Sequence, residues 1–79
     1  MMELRILSPV RTVVEATVSS VTLPGSVSPF QVLDGHAPMI TSLEAGKISY
    51  VVQGRTESVV ISSGYAMIEN GKVTVCVEE

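Results

Sequence analysis

Three stretches of the chain alternate apolar and polar residues. Leu4 and Ile6 alternate with Glu3, Arg5 and Leu7; Ile48, Tyr50 and Val52 alternate with Lys47, Ser49 and Gln53; Val73, Val75 and Val77 alternate with Lys72, Thr74 and Cys76. A period of two puts every second side chain on one face, which is the geometry of a half-buried strand and not of a helix. Composition points the same way. Val, Ile and Thr number 14, 5 and 6, so 25 of 79 residues are β-branched. Such side chains are stiff at χ1 and pack well on a pleated surface. The glycines Gly25, Gly35, Gly46, Gly54, Gly64 and Gly71 fall between the runs, where turns demand positive φ. Asn70-Gly71 is the clearest turn, because this pair suits a two-residue type I′ hairpin between strands at 65–69 and 72–77.

The remaining strands are predicted at 3–7, 11–16, 17–23, 30–33, 39–43, 47–53 and 56–62. Short strands spaced about 8 to 12 residues apart, with no helical period between them, predict an all-β antiparallel sandwich or barrel. The chain is read as a single domain over 1–79, without repeat, linker or βαβ unit. Pro9 and Pro24 stand at strand ends, and Pro29 and Pro38 flank 30–36, which predicts a rigid loop carrying one short edge strand.

A domain of this size buries only about 60% of its unfolded surface, so small domains commonly rely on disulfides or metals. Here one cysteine, Cys76, and one histidine, His36, supply neither. An apolar fraction of 46% and a mean hydropathy of +0.43 predict instead that one face is covered by another chain. The net charge of −3, without a basic run, argues against a nucleic-acid partner. Phe30, Tyr50 and Tyr65 are too few for a base-stacking platform. Charges at Glu3 and Arg5 interrupt any signal peptide, no apolar run is long enough to span a bilayer, and one unpaired cysteine fits a reducing compartment, so the chain is expected to be soluble and intracellular.

Catalytic signatures are weak. The nearest approach to a phosphate-binding loop, Thr41 through Ile48, lacks the first glycine and the final hydroxyl, so Gly46-Lys47 reads as a turn and an exposed strand residue. Asp34, His36 and Ser62 or Ser63 contain the residue types of a hydrolytic triad, but a triad is specified by geometry; a turn or interface histidine is the favoured reading. Cys76 among β-branched neighbours is expected to be a small buried hydrophobe without redox chemistry. Glu78 and Glu79 are expected to form a solvated acidic tail.

Taken together, the segments V-S-S-V-T-L-P-G-S at 18–26, V-L-D-G-H-A-P-M-I-T at 32–41, G-K-I at 46–48, S-G-Y-A-M-I-E at 63–69 and N-G-K-V-T-V at 70–75 resemble the epsilon subunit of F-type ATP synthase, specifically its amino-terminal β-sandwich domain. The resemblance runs from Met2 to about Glu79 in the family's order. It implies a flattened antiparallel sandwich of about ten short strands. It also implies a non-catalytic central-stalk subunit that couples ion translocation to ATP synthesis. On that basis Ser8, His36, Ala37, Pro38, Met39 and Thr41 are expected to contact the gamma subunit, and Ser26, Val27, Ser28, Pro29, Phe30 and Gln31 the c-ring. No cofactor, metal, nucleic acid, small-molecule substrate or direct membrane insertion is implied. The expected location is the cytoplasmic face of the bacterial inner membrane, as a peripheral part of the complex. The other readings from the sequence are a stand-alone ligand- or protein-binding sandwich and a small hydrolase.

The sequence departs from the family pattern at three places. Ser28-Pro29-Phe30-Gln31 stands where an acidic, glycine-flanked G-E-F-G-like segment is usual, so hydrogen bonds from Ser26, Ser28 and Gln31, or a Phe30 contact, would replace an ionic one. Asp34 stands where proline is common. Typical members continue into two helices that inhibit hydrolysis, whereas here only Glu78 and Glu79 follow the strand at 72–77; the sequence as given is expected to couple without inhibiting.

Overall fold

The computed structural model describes residues 1–78. It contains nine strands among them: β1 (Met2–Leu7), β2 (Thr12–Val18), β3 (Ser20–Leu23), β4 (Phe30–Leu33), β5 (Met39–Leu43), β6 (Gly46–Val52), β7 (Arg55–Ile61), β8 (Ser63–Glu69) and β9 (Lys72–Glu78). They form a five-stranded sheet in the order β2-β1-β9-β8-β5 and a four-stranded sheet in the order β4-β3-β6-β7. The two layers make a sandwich whose Cα extents are 26 × 23 × 18 Å, flattened as expected.

The period-two pattern decides what lies between the layers. Leu4, Ile6, Val73, Val75 and Val77 enter the core from the larger sheet, and Val21, Leu23, Val32, Ile48 and Tyr50 from the smaller one. No polar or charged residue is buried among the described residues. Both predicted hairpin partners of Asn70-Gly71 form, and the two turn residues have φ of 46° and 74°, the positive values that a type I′ turn requires. Gln53-Gly54, at 50° and 77°, joins β6 to β7 in the same way.

Three features refine the expectations. The strand predicted over 17–23 divides at Ser19, so β2 runs on to Val18 in the larger sheet and β3 begins at Ser20 in the smaller one. Ser19 makes the corner, its N–H donating to the Val51 carbonyl at 3.0 Å. Ser62 makes the corresponding corner between β7 and β8, donating to the Glu78 carbonyl at 2.8 Å. Second, the sheets are antiparallel except for one pair: β1 runs parallel to β9, from Glu3 opposite Lys72 to Leu7 opposite Cys76. Third, Gly64 lies inside β8, where an added Cβ would collide with the Cys76 carbonyl, so its role is close approach of two strands.

Two residue expectations are corrected. Cys76 is only half-buried and lies on the outer face of the larger sheet, because the inward positions of β9 are taken by Val73, Val75 and Val77. Glu78 is exposed as expected but belongs to β9, paired with Ser63, and is not a frayed tail; Glu79 lies outside the described residues.

Leu4 is fully buried at the centre of the core. Leu4→Ala should lower the unfolding free energy by about 2 to 5 kcal/mol, seen as a lower urea midpoint at unchanged slope. A midpoint shift equivalent to less than about 0.5 kcal/mol would show that the site collapses around the lost methyls.

Candidate subunit interface

The two faces of the larger sheet differ in kind. Cross-strand pairing sets the outer face in rows: Ile40, Met67, Thr74, Arg5 and Glu15 in one, Ser42, Tyr65, Cys76 and Leu7 in the next. The part over β5, β8 and the end of β9 is apolar and open to solvent, with Ile40 73%, Tyr65 51% and Met67 36% exposed. Toward β2 the face becomes ionic: Arg5 Nε lies 3.2 Å from Glu15 Oε2, and Glu3 and Lys72 are cross-strand neighbours. Leu7, Ser8 and Pro9 border a shallow concavity with Tyr65 and Cys76 at one end of the apolar part, and Pro38, Met39, Ile40 and Met67 border another at the opposite end. The Tyr65 hydroxyl is held above its ordinary pKa, first by its hydrogen bond with the Cys76 thiol and then by the charge that thiol would carry.

Of the positions expected to contact a gamma subunit, Ser8 lies beyond β1 at the first end, while His36, Ala37 and Pro38 lead into β5 at the second. Met39 and Thr41 take the inward register of β5, opposite Ile68 and Ala66, and Met39 packs against the core. Ile40 and Ser42 occupy the outward register between them. Sequence reading missed Ile40, Tyr65 and Met67; alternation along β5 and β8 was the available signal, since an apolar residue at the wrong phase of a strand marks a face that water does not keep.

The segment before β5 is fastened at several points. His36 is half-buried, its N–H donating to the Leu33 carbonyl at 3.1 Å, with Nδ1 2.7 Å from the Ala37 oxygen. Asp34 Oδ2 lies 2.6 Å from the Met1 ammonium, which holds the carboxyl below its ordinary pKa through that hydrogen bond and then through charge attraction. Ser62 Oγ donates to the Glu78 carbonyl at 2.9 Å. Ser62 and Ser63 sit beside the Leu43 end of β5 and His36 precedes its Met39 end, so the length of a strand separates them. Asp34, His36 and a serine therefore do not assemble into a triad.

Of the positions expected to meet a c-ring, 26–29 form a loop whose base lies against the free edge of β5, while Phe30 and Gln31 open β4 in the smaller sheet. Gly25 bridges to Leu43, Ser26 N–H donates to the Ser42 carbonyl at 3.2 Å, and the Ser26 and Ser42 hydroxyls are 2.6 Å apart. Glu44 N–H donates to the Pro24 carbonyl at 2.8 Å. A Cβ at Gly25 would stand 2.9 Å from the Phe30 ring, which turns inward and packs against the core. Val27, Ser28, Pro29 and Gln31 are exposed.

The family described as the ATP synthase delta/epsilon chain β-sandwich domain matches residues 1–79. The chain belongs to that family. Curated relatives agree: it is 38% identical over 77 residues to an ATP synthase epsilon chain of Geotalea daltonii, covering 98% of this chain and 56% of that one. It is 39% identical over 77 residues to the epsilon chain of Lawsonia intracellularis, covering 98% and 58%. The chain thus spans a little more than half the length of these relatives. Among solved structures, a chain of the Euglena gracilis mitochondrial ATP synthase with its c-ring superposes with a TM-score of 0.92 at 22% identity, covering 99% of this chain and 51% of that one. A chain from the central stalk and c-ring of the Tetrahymena thermophila enzyme gives 0.83 at 12% identity, covering 99% and 63%. At those identities the likeness is one of fold.

The opposite registers of Met39 and Ile40 give an expected outcome. Ile40→Ser should change the unfolding free energy by no more than about 0.5 kcal/mol, while Met39→Ser should lower it by about 1 to 3 kcal/mol. Equal losses in urea titrations of the two variants would place Ile40 in the core.

Proposed function

We propose that this chain is a non-catalytic part of the rotor of a rotary ATP synthase, packing on the gamma subunit with the outer face of its larger sheet and meeting the c-ring with the loop at 26–31. The observation that carries the reading is the exposed apolar band of Ile40, Tyr65 and Met67 on an otherwise ionic sheet. A small domain with this much apolar surface on one side fits an obligate partner, because burying such a band against a complementary chain removes it from water. Membership of the family supports another ATP synthase subunit as that partner.

In this arrangement Ser8 and the pair Ala37-Pro38 form the two ends of the gamma contact, and His36 shapes the turn that leads into it. Met39 and Thr41 hold β5 from the core side. Two sheets sharing one apolar core make a stiff body, and a body that does not yield is what transmission of torque between gamma and the ring requires. The catalytic chemistry belongs to other subunits. The domain would sit on the cytoplasmic side of a bacterial membrane as a peripheral component, touching the membrane sector only through the ring's polar loops.

The test is a titration of purified gamma subunit. Ile40→Glu would place an unpaired charge in the packed contact and should weaken binding at least about tenfold, a loss of about 1.4 kcal/mol or more. Its urea midpoint should stay unchanged, since Ile40 is exposed in the free chain. Unchanged affinity would remove the band from the interface, and no affinity for gamma by the original chain would favour the stand-alone binding module.

A further inference from the structure

We propose that the 26–31 loop engages the ring through the side chain of Val27, an apolar contact in place of an ion pair. The inference rests on the assignment of this loop to the c-ring and concerns the chemistry of the contact.

From Pro24 to Leu33 the chain carries no charged residue. Two of the four groups that sequence reading offered as substitutes are already committed in the structure, while Ser28 and Gln31 stay exposed. Ser26 is already committed, its hydroxyl 2.6 Å from that of Ser42 and within 3.1 Å of the Ser42 carbonyl. Phe30 is committed too, packed inward over Gly25. Between them Val27 is 99% exposed, a fully hydrated β-branched side chain with no neighbour to cover it.

The loop that carries Val27 is tightly folded. An added Cβ on Gly25 would come within 2.7 Å of the Ser28 carbonyl oxygen, so the chain doubles back immediately beyond Val27. The Gly25 bridge to Leu43 and the paired Ser26 and Ser42 hydroxyls fasten the base to β5. A side chain with only χ1 free, on a loop fixed at its base, loses little conformational freedom when it enters a partner's pocket. A flexible polar tip would not have that advantage. The ring-side surface that fits is a shallow apolar depression, lined by methyl groups or by the methylene stems of longer side chains.

One carboxylate does stand nearby. Glu44 Oε2 accepts from Ser26 Oγ at 3.4 Å and is exposed, at the base of the loop beside the β5–β6 turn. An ionic contact with the ring would have to use it, and the two mechanisms respond differently to salt. Raising ionic strength from 0.1 to 1 M shortens the screening length from about 10 to about 3 Å, which weakens an ion pair and leaves apolar burial intact.

The experiment measures binding of this chain to purified gamma and, separately, to a purified complex of gamma with the c-ring. The added affinity contributed by the ring is the readout. Val27→Ser should reduce that added affinity by about tenfold and leave binding to gamma alone unchanged. Glu44→Gln should change it by less than about twofold, and salt between 0.1 and 1 M by less than about threefold. Because Val27 is fully exposed, the serine variant has no route to unfolding the domain. An unchanged added affinity for Val27→Ser, or a steep salt dependence removed by Glu44→Gln, would overturn the inference while leaving the loop on the ring. A chain that binds gamma but gains nothing from the ring would overturn the loop assignment itself, and the inference with it.

Discussion

The fold depends on a pairing between its two ends. β1 and β9 lie side by side in the middle of the five-stranded sheet, parallel, with Leu4 and Ile6 level with Val73 and Val75. β2 is attached to β1 and β8 to β9, with β5 added beyond β8, and the smaller sheet is covered by the buried side chains of the pair. The contact joins residues at opposite ends of the chain, so it cannot form until the loop between them has been closed at an entropic cost. The hairpins β6–β7 and β8–β9 need no such closure, since each folds on a two-residue turn. Local turns therefore supply the pieces, and the β1–β9 contact makes them one body.

That body leaves a conflict on its surface. Inside, alternation delivers a core with no buried polar side chain among the described residues. Outside, the same alternation places Ile40, Met67 and Tyr65 in water. A monomer would gain solubility by exchanging them for charges, as it has done toward β2 with Arg5 and Glu15. Retaining them on one half of one face, next to an ionic half, matches the division between an interface core and its rim.

Much of this was readable from the sequence because the responsible physics is local. The nine strands and both ends of the 65–77 hairpin follow from period two and from Asn70-Gly71. The corner at Ser19 was also encoded, since inward residues at 14, 16 and 18 are followed by 21 and 23, a shift of phase that a change of sheet produces. The parallel pairing of β1 was not encoded in any short window, because it joins distant segments. Cys76 differs: its alternation with Val73, Val75 and Val77 already put it in the outward phase, but its apolar neighbours Val75 and Val77 made a small thiol read as core. The interface showed the same limit as the parallel pair. The G-H-A-P step drew attention to His36, Ala37, Pro38 and Met39, whereas the exposed band comes from β5 and β8, which are brought together by pairing.

Both proposed contacts hang from β5. Ile40 on its outer face belongs to the band, and Ser42, two residues on, holds the loop through the Ser26 hydroxyl. β5 is an edge strand of the larger sheet, and an unprotected edge invites pairing with other chains. Here the Gly25 bridge and the bonds to Ser42 and Glu44 occupy that edge at its Leu43 end, so the loop protects the sheet while the sheet positions the loop. The arrangement gives a short route between the two proposed contacts: Val27 and Ile40 are linked through a pair of hydroxyls and one strand, without crossing the core. Hydrogen bonds fasten the base of the loop to β5, which is the stiffness that the proposed contact through an uncharged loop would need.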